Sequence, residues 1–138
     1  MVVTMDLGNP TNIHPSKKRE VGLRLAMQAL SETYGRKMPH LFPQLASAKR
    51  IDCSLVLTFK NVYKGLVAQG GQHEFEVSPD GKTFYPADIK LKDNTIRVSC
   101  AKVQAPHFVR YCWRDASAGT IFNSEKLPLS SFRAEVSN

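Results

Sequence analysis

The chain has little of what several function classes require. No run of apolar residues approaches the ~20 needed to cross a bilayer as a helix. The apolar start, Met1-Val2-Val3-Thr4-Met5, is too short for a signal-peptide core and carries no basic leader. Cysteine is scarce: Cys53, Cys100 and Cys112 form an odd set without CxxC or CxxH spacing, which argues against a zinc site and leaves at least one thiol free. Each lies in an alternating or apolar run, where a thiol serves as a small buried hydrophobe; a Cys100–Cys112 disulfide is the alternative. No strand–GxxxxGK–helix pattern exists, so Gly65, Gly70 and Gly71 read as turn or bulge glycines and not as a phosphate cradle. No cofactor or metal is expected. Acids are outnumbered, 12 against 19 Lys and Arg, for a net charge of +7. The bases are spread out, and the densest run is Lys17-Lys18-Arg19. That distribution suits a solvated basic face better than a nucleic-acid footprint, so neither nucleic acid nor membrane is expected as a partner.

What is present divides near residue 36. A hydrophobic fraction of 42% and a charged fraction of 22% are ordinary for a soluble protein. The length of 138 residues suffices for one domain with a core, or for a small domain and a fragment of another. The pattern predicts a helix over 16–34, entered through Pro15-Ser16 with Ser16 as its N-cap and stopped at Gly35. Lys17, Glu20, Arg24, Gln28 and Ser31 form a narrow polar stripe, and almost everything else on the helix is apolar. Such a helix asks for more cover than one small sheet supplies. Val2, Val3 and Met5 read as the end of a buried strand, and Gly8-Asn9-Pro10 as a loop leaving it. Strand, loop and helix together are the last elements of an α/β domain whose remainder lies elsewhere. A homo-oligomer, or a swap of this helix between copies, is one way to cover it.

Beyond a linker over 37–48 come short alternating runs: Cys53 to Phe59, His73 to Val77, Ile89 to Leu91, Thr95 to Cys100 and His107 to Trp113. Ser78-Pro79-Asp80-Gly81 is a turn, because proline presets φ and glycine accepts positive φ. The expected fold is mainly β, an antiparallel sandwich or barrel-like domain over 49–138, preceded by the α/β remnant over 1–36. His14 is the sharpest candidate for chemistry. It sits in a loop between a strand end and a helix, at the edge where α/β sheets place their sites. His40, His73 and His107 have no such setting. Trp113, Tyr111 and Arg110 admit a sugar-stacking reading, but an aromatic residue in an alternating strand is more often core.

Asp6-Leu7-Gly8, Ile13-His14-Pro15, Arg24-Leu25-Ala26 and Tyr34-Gly35 resemble the last segment of the SGNH-type catalytic domain of sialate O-acetylesterases. The likeness continues in order through Phe59-Lys60-Asn61-Val62, Gly65-Leu66-Val67-Ala68, Pro86-Ala87-Asp88, Val109-Arg110-Tyr111-Cys112-Trp113 and Ser131-Phe132-Arg133. The resemblance implies a hydrolase that removes O-acetyl groups from sialic acid or a related sugar, secreted, periplasmic or lysosomal when whole. It makes His14 the general base of an incomplete triad. Asp6 becomes a weak candidate acid, and Trp113 a weak substrate contact. The family's Gly-Asp-Ser nucleophile motif has no match here. Ser16, two residues from His14, reads as a cap and not as a nucleophile, and Thr11 and Asn12 occupy positions where relatives carry acids. The chain by itself is then inactive. The other reading is a non-catalytic β module that binds glycan or docks on a catalytic partner.

Overall fold

A computed structural model describes residues 1–136. Among them are one helix, α1 (Lys18–Glu32), and the strands β1 (Gln44–Ile51), β2 (Ser54–Lys60), β3 (Leu66–Ala68), β4 (Phe75–Ser78), β5 (Tyr85–Pro86), β6 (Asp88–Lys92), β7 (Thr95–Ser99), β8 (Phe108–Tyr111), β9 (Ile121–Asn123) and β10 (Phe132–Glu135). The strands pair antiparallel as β1-β2-β7-β6, as β10-β8-β4-β5, and as the small pair β3-β9. Both four-stranded sheets keep free edges, so the fold is an open sandwich and not a closed barrel.

Period-two alternation builds the core. Leu55, Leu57 and Phe59 of β2 and Ile96 and Val98 of β7 face Phe75 and Val77 of β4 and Val109 and Tyr111 of β8, all essentially without solvent contact. Each such side chain contributes about 1.5–3 kcal/mol by leaving water. Phe132 of β10 closes the aromatic cluster, its ring centroid 6.0 Å from Phe59 and from Tyr111 and 6.2 Å from Phe75. Register is pinned by two-residue turns. Ile51 pairs with Ser54 across Asp52-Cys53, and Lys92 pairs with Thr95 across Asp93-Asn94. Asp52 and Asp93 stand at φ 55 and 52, a left-handed conformation that aspartate tolerates through local hydrogen bonding. In the turn after β4, the Ser78 hydroxyl accepts from the Gly81 N–H, and Gly81 stands at φ +72 with the Phe108 ring where a Cβ would go. Asp80 accepts from the N–H groups of Lys82 and Thr83, which holds its carboxyl below the usual range.

Several expectations need correction. The helix starts at Lys18 and not at Ser16; Lys17 is its N-cap, and no side chain caps it. Gly35 does turn left-handed at φ +66, and the Arg36 N–H reaches back across it to the Leu30 carbonyl. The polar stripe is the face turned toward the rest of the chain: Arg24 is the buried residue of α1, while Leu23, Leu25 and Leu30 are 48%, 53% and 38% exposed. Residues 2–5 form no strand ladder among the described residues. The segment is fixed instead by Met5, whose carbonyl accepts from the Gly119 N–H. β1 reaches back to Gln44, within the stretch expected as linker. All three thiols are free, and Cys53 is exposed because it sits in the β1–β2 turn.

Candidate functional site

His14 lies in a loop built by two asparagines. The Asn9 side-chain oxygen accepts from the backbone N–H and the hydroxyl of Thr11, both at 2.9 Å, and that of Asn12 accepts from the His14 N–H at 2.8 Å. These are Asx turns, in which a short amide imitates the backbone. They present His14 at the tip, exposed, with no partner for its ring among the described residues. Thr11 and Asn12 therefore serve the loop's shape where relatives were expected to carry acids.

Asp6 is engaged elsewhere. Its two carboxylate oxygens accept from Arg24 at 2.7 and 2.6 Å, and the same guanidinium donates to the Val3 carbonyl at 2.9 Å. Both side chains are largely withdrawn from water, at 9% and 15% exposure for Arg24 and Asp6. A bidentate pair of this kind is among the stronger charge-assisted contacts. It fastens α1 to the segment that leads into the His14 loop. No hydrogen bond joins Asp6 to His14 among the described residues.

Trp113 departs from the core expectation. Cys112 adopts φ 48, which ends β8 at Tyr111 and breaks the alternation. The Cys112 thiol turns inward, where burial pushes its pKa up to about 11. Trp113 is then delivered to solvent at 48% exposure. Tyr111 remains core, and its hydroxyl accepts from the N–H groups of Thr120 and Ile121 at 2.9 and 3.1 Å. Desolvation raises that phenol well above its ordinary value. The fully buried oxygen thus ties β8 to β9.

Next to Trp113 in sequence, Arg114 lines an open groove of about 540 Å³ together with Glu74, Glu76, Asp88, His73 and Gln72. Glu76 is buried and paired with Arg110 at 2.7 Å and Arg114 at 3.2 Å. Burial pushes its carboxyl up, but the two guanidinium groups outweigh that and hold it below the usual value. Arg110 in turn covers the Phe84 ring at 4.0 Å. Glu74 accepts from the Ser117 hydroxyl, and His73 Nδ1 meets the Thr120 hydroxyl at 3.0 Å. A second cleft of about 700 Å³ separates α1 from the β domain, lined by Lys17, Glu20, Arg24, Gln69, Thr120 and Lys126. His14 lines neither of these two. Sequence reasoning did not identify Glu76 as the partner of Arg110, nor the place of Arg114. The alternation of Glu74, Phe75, Glu76 and Val77 was the available signal. Among the described residues, no cluster of three or more His, Cys, Asp or Glu side chains is placed to hold a metal ion.

No family model matches the chain, and no curated protein does. Among solved structures, a carbohydrate acetylesterase from Xanthomonas citri superposes with a TM-score of 0.86 and 33% sequence identity, covering 94% of this chain. The chain spans 31% of that enzyme's length. It is similar in fold and in sequence to a segment of a carbohydrate esterase.

Proposed function

We propose that the chain is the C-terminal portion of a carbohydrate esterase that removes O-acetyl groups from sialic acid or a related acetylated sugar, with His14 as general base. The reading is carried by the 33% identity to a carbohydrate acetylesterase along nearly the whole chain. It is supported by an imidazole held at a loop tip with its ring unengaged. A serine hydroxyl is a poor nucleophile until a base hydrogen-bonded to it takes its proton as it attacks the ester carbonyl. In this reading the serine, the oxyanion-hole donors and the acid that orients His14 come from outside the chain. Asp6 contributes by position, through Arg24 and the segment before the loop.

The chain alone is expected not to hydrolyse 4-nitrophenyl acetate or an O-acetylated sialoside. Joined to a hydrolase segment bearing Gly-Asp-Ser, it should do so, and His14→Ala should lower kcat/KM by about 10²–10⁴-fold. Turnover by the chain alone that disappears in His14→Ala would refute the missing-nucleophile account. Full activity of the joined protein after His14→Ala would refute the role of His14.

A second reading, a glycan-binding module, is favoured by the solvent-facing indole of Trp113. Trp113 is the sole tryptophan, so its fluorescence reports a stacked sugar directly. Titration with acetylated and plain sialosides should shift that emission. Binding measured by calorimetry should vanish in Trp113→Ala and persist in His14→Ala. An unchanged spectrum together with no calorimetric heat would exclude the module.

A further inference from the structure

The outer face of the sheet β1-β2-β7-β6 collects cations from distant parts of the chain. Lys49 stands opposite Val56, Val56 opposite Arg97, and Arg97 opposite Lys90. The next rows bring Lys92 beside Thr95, and Lys60 beside Gln44. Leu55, Leu57, Ile96 and Val98 occupy the inner face, so the pleat sends these cations outward, and all are exposed. Strands lie ~4.8 Å apart, so the row from Lys49 to Lys90 is about 14 Å long.

The face is compensated from within by a single carboxylate against five cations. Asp88 is the acid among its strand residues, and none of the four ammonium groups has an ion-pair partner among the described residues. Arg97 and Lys90 stand directly opposite each other, an arrangement of like charges that destabilises a sheet and that an external anion relieves. The central cation is also held in place. Arg97 donates to the Ser54 hydroxyl at 2.6 Å, and Ser54 donates to the Ile51 carbonyl at 2.9 Å, so the guanidinium lies across β2.

We propose that this face binds an extended acidic polysaccharide, with its carboxylates along the Lys49–Arg97–Lys90 row. The step between strands is of the same order as a sugar ring, so a chain laid across the strands sets uronate units over Lys49, Arg97 and Lys90, with the unit between the first two over Val56. Nucleic acid fits less well, because no aromatic side chain stands on this face to stack a base. Binding here requires neither His14 nor any esterase activity, so it stands apart from the function proposed above.

The test is calorimetric titration of the chain with polygalacturonate, with dextran as an uncharged polymer, and with duplex DNA. Polygalacturonate should bind and dextran should not, and affinity should fall by about tenfold or more between low and high salt as screening shortens. Lys49→Gln/Lys90→Gln/Lys92→Gln leaves Arg97 and its bond to Ser54 in place, and should weaken binding by about tenfold or more without lowering the melting temperature. The control Lys18→Gln/Arg19→Gln/Lys37→Gln removes equal charge from elsewhere and should change affinity less than about twofold. No binding of polygalacturonate overturns the proposal, as does equal loss in the two triple variants. Duplex DNA bound as tightly, with the same sensitivity to the first triple variant, overturns it in favour of nucleic acid. Should the first triple variant melt early, Lys90→Gln alone is read against Lys18→Gln by the same criteria.

Discussion

At Cys112 the backbone turns to φ 48, and two neighbouring aromatics part company: Tyr111 stays in the core while Trp113 goes to solvent. An alternating pattern read through 107–113 places both on one face, because periodicity assumes that the strand continues. A single left-handed residue that is neither glycine nor asparagine leaves no mark in composition. Glu76 was similarly half legible. Its outward position follows from alternation with Phe75 and Val77, but its pairing with Arg110 and Arg114, 34 and 38 residues away, does not. That pairing makes stability depend on pH. A carboxyl lowered on folding adds stability above its ordinary value of 4.5, and the gain is lost as pH falls through the folded value. Melting between about pH 5 and about pH 3 should therefore decline less steeply in Glu76→Gln than in the unsubstituted chain. At neutral pH the substitution should cost ~1–3 kcal/mol, since Arg110 loses its charged partner. Parallel acid slopes in the two proteins would show that Glu76 does not carry the dependence.

At the scale of elements, β2, β4, β6, β7 and β8 were legible, the short strands β3, β5, β9 and β10 and the linker-like β1 were not, and the helix was legible to within two residues at each end. Leu55, Leu57 and Phe59, or Ile96 and Val98, alternate because one sheet face is buried, and Asp-Cys and Asp-Asn turns of two residues fix which face that is. Ser16 looked like a cap by residue type, yet its backbone carbonyl, and not its hydroxyl, takes the Lys18 N–H. What holds α1 is tertiary. Arg24 clamps Asp6 and Val3 near the middle of the helix, and Ser31 donates to the carbonyls of Arg36 and Met38 at its end. Near that end His40 meets the Met38 carbonyl and Glu32, and these raise its pKa. Arg24→Ala should speed amide hydrogen exchange throughout α1 by about tenfold or more and leave β2, β7 and β8 protected, because the helix and the sandwich share few packed side chains. Equal loss of protection in the strands would mean that helix and sandwich unfold as one unit.

For the whole molecule, the helix is inside out with respect to its own chain. Its polar stripe faces the sandwich, and Leu23, Leu25 and Leu30 face solvent. Exposed apolar side chains gathered on one helix in this way suit an interface. The chain spans 31% of the carbohydrate acetylesterase it resembles. In isolation the chain is expected to self-associate through α1, with a sedimentation coefficient that rises with concentration and is little affected by salt. Leu25→Lys should return it to a monomer while costing less than about 0.5 kcal/mol of stability, the usual scale for a surface change. A salt-insensitive monomer at high concentration without the substitution would contradict this.

The sequence by itself determined the local matters: which runs alternate, where Asp and Gly permit a turn, and that the helix read over 16–34 carries more apolar surface than it can hide. Those follow from steric limits on φ and ψ and from the period of side chains along the backbone. Only the tertiary structure decided which face of α1 turned inward, that Trp113 left the core, and that Lys49, Arg97 and Lys90 came to lie in one row. Such facts depend on strand register and chain crossovers. These are set by the joint burial of both sheets, and no spacing along a single stretch of sequence contains them.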